Sequence, residues 1–91
     1  MLYVDPLGKY GMIFLGRKCR SCHLFSDNGR EELVQFARLV RIPENWIHNS
    51  RSGLPHIDLT PMMREKVILN GVEEISREEA LKIWKRLRGE V

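Results

Sequence analysis

The sequence has no long apolar run, and none of its stretches approaches the roughly 18 consecutive apolar residues that cross a bilayer as a helix. Its N-terminus also lacks a basic segment followed by an apolar core and a small-residue cleavage site, which is the pattern of an exported protein. These absences predict a cytoplasmic protein with no membrane partner. With 91 residues, of which 43% are hydrophobic, the chain is long enough for one modest core. We therefore predict a single domain over residues 1–91.

Cysteine is also scarce, and its two copies stand together in the stretch Cys19-Arg20-Ser21-Cys22-His23. This C-x-x-C-H spacing is typical of covalent c-type haem attachment, with Met62 or Met63 available as a second axial ligand. The haem histidine of such cytochromes follows the second cysteine on a helix. Here glycine-rich sequence precedes the stretch and turn-forming residues follow it, which predicts a strand instead. Haem is therefore not expected.

The same cysteines support two further hypotheses. Cys19 and Cys22 have the spacing of half a zinc site, which His48 and His56 would complete, although the seven residues between these histidines exceed the usual spacing. The other hypothesis is a redox dithiol, since nearby cations lower a thiol pKa. No helix is predicted directly after Cys22, however, so a common source of thiolate stabilisation is missing.

The net charge of +3 is unevenly distributed along the chain. Residues 1–30 hold five basic and two acidic side chains, and the remaining residues are balanced. Arg17, Lys18 and Arg20 concentrate this excess beside the Cys-His pair. A basic loop next to a candidate site indicates an anionic ligand, either phosphate or nucleic acid. A solvated loop is the alternative explanation of three such charges.

Signals for strands and helices alternate along the chain. Strands are predicted at residues 2–4, 22–25 and 56–59, with a short extended link at 72–75 and a loop at 44–55. A first helix is indicated by the apolar stripe Leu33, Phe36, Ala37 and Val40. A second is predicted after Thr60, and a third after Ser76. The pattern predicts an α/β or α+β domain with a short sheet of three to four strands covered by about three helices.

Polar residues follow or interrupt three of the predicted strands. His56 and Asp58 are two apart on one strand, so their side chains project from the same face. His23 and Asp5 lie near the ends of two others. Imidazoles and carboxylates together suit a divalent metal or general acid–base chemistry. We predict catalytic roles for His23, His56 and Asp58, and metal ligation by Asp5, His56 and Asp58. The alternative is a structural His23 and an Asp58 that only caps the second helix.

Several short motifs occur in a characteristic order. They are Tyr3-Val4-Asp5, Cys22-His23-Leu24, Asp27, Glu32-Leu33, Phe36-Ala37, Trp46, Pro55-His56-Ile57-Asp58-Leu59, Arg64 and Gly71-Val72. With these motifs the chain resembles the small bacterial and phage proteins grouped as domain of unknown function 4031. The resemblance implies a shared Cys22-His23 element without Cys19, which disfavours the haem and zinc interpretations. It implies no reaction, because the activity of that family is not established. The chain departs from the pattern at Ile57, where tyrosine is common, and at His48, where glutamine is expected. His48 is therefore not predicted as a site residue.

The function most consistent with these residues is a metal-assisted hydrolase or a ligand-binding domain that acts on a phosphate-bearing or nucleic-acid substrate. Arg17, Lys18 and Arg64 are predicted to bind the anion, and a divalent metal is the cofactor that this hypothesis implies. The alternative is a non-catalytic module that binds nucleic acid, with Trp46 or Tyr10 stacking on bases, or that binds another protein.

Overall fold

The computed structural model describes residues 1–49 and 53–89. The helices are α1 (Arg30–Leu39), α2 (Pro61–Leu69) and α3 (Arg77–Leu87). The strands are β1 (Leu2–Val4), β2 (Ile13–Phe14), β3 (Arg17–Lys18), β4 (Cys22–Ser26), β5 (Ile47–Asn49), β6 (Pro55–Leu59) and β7 (Glu73–Glu74). A short 3-10 helix at Glu44–Trp46 leads directly into β5.

Five of the strands form one mixed sheet in the order β5-β6-β4-β1-β7. Neighbouring strands are antiparallel, except that β1 and β7 pair in parallel. The register of the central pair sets Cys22 opposite Leu59 and Leu24 opposite Ile57. These four side chains are inaccessible to solvent. Side chains alternate between the faces of a strand, so the same register puts the intervening pair, His23 and Asp58, on the other face.

Helices cover both faces of this sheet. On one face, Leu33 of α1 and Val67 of α2 pack against the buried strand residues in the larger of two cores. On the other face, Ile83 of α3 packs with Phe25 and Ile75 in a smaller core. Phe25 is two residues from His23 on β4, so the two side chains lie on the same face of the sheet. The polar face of the sheet is thus the one beside α3.

Two of the helices begin at hydroxyl caps. Thr60 Oγ1 accepts a hydrogen bond from the Met63 N–H at 3.3 Å, and Pro61 occupies the first helical position of α2. Ser76 Oγ accepts from the Glu79 N–H at 3.1 Å at the start of α3. Because Thr60 caps α2, this helix does not need Asp58 of the preceding strand as its cap.

The predicted fold class is confirmed as α+β, with three helices over a sheet. The sheet has five strands rather than three or four, because residues 47–49, predicted as loop, form β5, and the predicted link at 72–75 contributes β7. Residues 50–52 of the predicted loop, and residues 90–91, lie outside the described residues. Among the residues that the structure describes, no helix is long and apolar enough to cross a membrane.

The strands β2 and β3 form a separate two-stranded hairpin. Phe14 pairs with Arg17, and Ile13 pairs with Lys18. Cross-strand partners share a face, so Phe14 and Arg17 lie on one face of the hairpin and Ile13 and Lys18 on the other. The turn between them has positive φ at both central residues, 53° at Leu15 and 76° in the glycine that follows. This matches a type I′ turn, in which leucine is an unfavourable first residue.

Candidate metal centre

Two imidazoles and one carboxylate converge on the sheet face beside α3. His23 and Asp58 are cross-strand partners in β4 and β6, and His56 is two residues before Asp58. The distance to Asp58 Oδ1 is 3.8 Å from His23 Nε2 and 3.6 Å from His56 Nε2. One ligand atom from each of the three residues lies within 4.8 Å of the other two. Metal bonds of about 2.1 Å at tetrahedral angles separate ligands by about 3.4 Å, and the two distances to Asp58 are close to that value.

His23 is held from behind by a buried carboxylate. Asp5 is 1% exposed. Its Oδ1 accepts the His23 backbone N–H at 2.6 Å, and its Oδ2 lies 2.7 Å from His23 Nδ1. A carboxylate accepts and does not donate, so Nδ1 carries the proton and Nε2 presents its lone pair towards Asp58. This carboxylate–histidine arrangement is typical of the support behind metal-ligating histidines.

The charges around His23 change its titration. Burial, the largest single effect, lowers the pKa of His23, but the Asp5 hydrogen bond together with the charges of Asp5 and Asp58 raises it above its ordinary value. The doubly protonated ring, with its second proton on Nε2, is therefore more favoured than in an ordinary histidine. A metal at Nε2 would compete with that proton.

His56 is oriented by the main chain instead. Its Nδ1 lies 3.2 Å from the Leu54 carbonyl oxygen, to which it donates, so its Nε2 also presents a lone pair to Asp58. Burial lowers the pKa of His56 below its ordinary value. A neutral imidazole with a free Nε2 is the form that ligates metals.

A third imidazole, that of His48, lies beside the cluster of His23, His56 and Asp58, and His48 was not predicted as a site residue. His48 Nε2 lies 3.0 Å from Asp58 Oδ2, and the His48 ring centre is 4.4 Å from that of His56. The two histidines are direct cross-strand partners in β5 and β6. The available signal was Gly53 as a turn-forming residue between the two histidines, since a hairpin that closes between residues 49 and 55 sets residue 48 opposite residue 56. The prediction of a loop over residues 44–55 left no strand there to pair with β6, so the approach of the two histidines was not recognised.

Asp5 and Arg64 occupy different places from those expected of a metal ligand and an anion-binding residue. Both Asp5 carboxylate oxygens contact His23, through its main-chain N–H and its Nδ1, and Asp5 is not among the three residues whose ligand atoms converge. The Arg64 side chain is 16% exposed. Its Nε donates to the Asp5 carbonyl oxygen at 3.1 Å, and its Nη1 pairs with Glu74 at 3.1 Å. Arg64 therefore supports the backbone behind the centre.

The cysteines do not join this cluster. Cys22 faces the opposite side of β4, in the larger core with no exposed surface. Burial, reinforced by the charge of Asp5, raises the pKa of Cys22 to about 12. The described residues therefore do not assemble the proposed zinc site of Cys19, Cys22 and two histidines, because one of its thiols lies on the other face. His23 lies on a strand, as predicted, whereas the haem histidine of c-type cytochromes lies on a helix.

Two cavities flank the cluster along the β5–β6 ladder. The larger, of about 420 Å³, lies towards the Asn49 and Pro55 end and is lined by all three histidines and by Trp84. The smaller, of about 300 Å³, lies towards the other end of the ladder. It is lined by Met12, Phe14, Asn45, Trp46, His48, Asp58 and Thr60. The cluster therefore sits between two openings. Phe14 brings the hairpin to the smaller one, and Arg17 shares the face of Phe14 while Lys18 does not.

Comparison with known proteins identifies the family. Searches of curated proteins and of solved structures each found no match. A family model described as "Protein of unknown function (DUF4031)" matches residues 2–87, a span that includes every residue of the cluster and both cavities except Arg88 at the rim of the larger one. The chain belongs to the DUF4031 family.

Proposed function

We propose that the protein is a metal-assisted hydrolase with one divalent ion held by His23, His56 and Asp58. The convergence of these three groups within 4.8 Å carries the proposal. The Asp5 and Leu54 contacts that aim both Nε2 atoms at Asp58 support it. Three protein ligands of this kind leave a coordination position open, which is typical of catalytic rather than structural zinc sites.

The chemistry of such an ion is the activation of water. A divalent metal lowers the pKa of a bound water towards neutrality and polarises an ester oxygen. The residues of the chain orient and support it. Asp5 fixes the tautomer of His23, and His48 holds the second oxygen of Asp58 at 3.0 Å. The basic hairpin residue Arg17 lies on the hairpin face that borders the smaller cavity. Its charge favours a phosphate ester as substrate.

Metal titration tests the proposal directly. Protein stripped with chelator is titrated with Zn²⁺ and Mn²⁺ by calorimetry, and release of p-nitrophenol from p-nitrophenyl phosphate esters is followed with each metal. We expect one ion per chain and metal-dependent hydrolysis. His56→Ala should abolish both, whereas Glu73→Gln, an exposed carboxylate on β7, should change neither. A fully folded protein that binds no metal, or that binds it equally well as His56→Ala, contradicts the proposal.

A second candidate function is non-catalytic binding of nucleic acid. Its support is Trp46, an aromatic side chain 38% exposed at the smaller cavity. Tyr10 is the weaker candidate for stacking, because its ring packs on His23 and its hydroxyl accepts a hydrogen bond from Arg77 at 2.9 Å. This function predicts affinity for single strands that falls steeply with salt and is unchanged in His56→Ala.

A further inference from the structure

We propose that the substrate is a phosphodiester carrying a nucleobase, bound along β5 and β6 with its phosphate at the three-residue cluster. This inference rests on the proposed hydrolase function and names its substrate class. It starts from the position of the cluster between two separate cavities rather than at the bottom of one.

The two cavities border the same group of side chains. Asp58 borders the smaller cavity, His23 and His56 border the larger, and His48 borders both. A phosphate placed at these groups has space for a substituent on each side. A monoester has one organic substituent and would leave one cavity unfilled. A diester has two, and its central phosphorus matches the central position of the cluster.

The smaller cavity has the walls of a stacking site. Phe14 and Trp46 line it from the hairpin and from the 3-10 helix, and their side chains are 43% and 38% exposed. Large aromatic side chains left partly exposed beside a polar centre suit a planar apolar ligand. Nucleobases stack on such side chains with little dependence on sequence. Asn45 at the same cavity adds an amide with both donors and acceptors.

The hairpin face that carries Phe14 also carries a positive charge, which suits a nucleotide. Arg17 is the cross-strand partner of Phe14 and lies on the same hairpin face. A guanidinium beside a stacked base is positioned for the adjoining phosphate, which it binds through two parallel hydrogen bonds. Lys18 carries the same charge on the opposite face, with Ile13. Ile13 on that face is therefore a matched control for Phe14.

The reaction is hydrolysis, and it balances with water alone. The water oxygen forms a bond to phosphorus, and the phosphorus–oxygen bond to one substituent breaks. The displaced oxygen takes a proton from the attacking water. The products are a phosphate monoester and an alcohol, and no oxidant or reductant takes part.

Three esters that share one leaving group distinguish the contribution of the nucleobase from that of a second ester substituent. They are thymidine 5′-(p-nitrophenyl phosphate), methyl p-nitrophenyl phosphate and p-nitrophenyl phosphate, each assayed with the metal-loaded protein. We expect kcat/KM to fall about tenfold from the thymidine diester to the methyl diester, the factor expected of one stacked base. The monoester should be the poorest substrate of the three.

Variants of the hairpin locate the base. Phe14→Ala should remove most of the preference for the thymidine diester over the methyl diester, and Arg17→Ala should raise KM for the thymidine diester. Ile13→Ala, on the other face, should match the unmodified protein. A monoester that is the best substrate, or equal rates for the two diesters, overturns the inference while metal-dependent hydrolysis still supports the proposed function. Absence of hydrolysis from all three overturns both.

Discussion

Replacing Asp5 with alanine is expected to remove about 3–5 kcal/mol from the free energy of unfolding, more than an ordinary substitution of an aspartate. The carboxylate is 1% exposed and accepts two hydrogen bonds, from the His23 N–H at 2.6 Å and from His23 Nδ1 at 2.7 Å. Alanine leaves both donors without that partner. Hydrogen bonds to a charged group are worth about 1.5–3 kcal/mol each, so the loss of two of them accounts for a cost of this size.

That loss is a large share of the stability expected for the chain. At about 0.05–0.15 kcal/mol per residue, the 91 residues provide about 5–14 kcal/mol. With a urea m-value of about 1–1.5 kcal/mol/M for a domain of this size, the unfolding midpoint should fall by about 2 M or more. Equilibrium urea denaturation in chelator, followed by circular dichroism, measures it. A midpoint within 0.5 M of the unmodified protein would refute the reasoning.

Asp5→Asn separates stability from site chemistry. The amide oxygen still accepts the His23 N–H, while the amide NH₂ faces Nδ1 and requires it to become an acceptor. The ring proton then moves to Nε2, where it blocks ligation. We expect a cost of only about 1–2 kcal/mol together with loss of metal binding. Nitrogen chemical shifts of the His23 ring, measured by NMR, report the tautomer. Retention of an Nδ1 proton in Asp5→Asn would show that another group orients the ring.

Three further predictions concern other parts of the chain. Leu15→Asn should stabilise the protein by about 0.5–1 kcal/mol, because Leu15 is 88% exposed with φ of 53° and asparagine tolerates that backbone better; a lower Tm would contradict this. Iodoacetamide at pH 8 should label Cys19, which is partly exposed, and not Cys22, which is buried with its pKa raised to about 12; mass spectrometry of the native protein identifies the site, and labelling of both would show that β4 opens. In the 91-residue chain, the Met1 ammonium lies 2.7 Å from Asp27, which lowers the pKa of Asp27 and raises that of the ammonium. Asp27→Asn should therefore cost roughly 0.2–1 kcal/mol near pH 6. That cost should disappear as the pH falls through the lowered pKa of Asp27 or rises through the raised pKa of the ammonium, and a cost that is constant from pH 3 to 10 would exclude the pair.

Local signals predicted most of the fold. The α1 stripe is buried at Leu33, Phe36 and Ala37 as its spacing indicates, and α2 begins at the predicted hydroxyl cap. The strand β5 was missed because three residues carry too little periodicity to be recognised. Such a strand depends on pairing with β6, and that pairing is tertiary information.

The site was predictable only in part, for the same reason. The shared face of His56 and Asp58 follows from their spacing alone. The approach of His23 and Asp5 depends on the strand order β6-β4-β1, which no local pattern encodes. His48 needed the register of a hairpin that was not predicted. Roles for Asp5 and Arg64 were assigned by residue type, whereas their contacts are set by what is packed behind the sheet.

The carboxylate of Asp5 bonds the main chain and the ring of the same residue, and this has a kinetic consequence. The His23 ring cannot turn away from Asp58 without losing its bond to Asp5 Oδ2, and the carboxylate itself is held in place by the His23 main chain through Oδ1, so the ring orientation is set during folding. A ligand that arrives at Nε2 meets a ring already aimed at it. Association should therefore be a single fast phase whose rate rises linearly with ligand concentration, with no slower rearrangement afterwards.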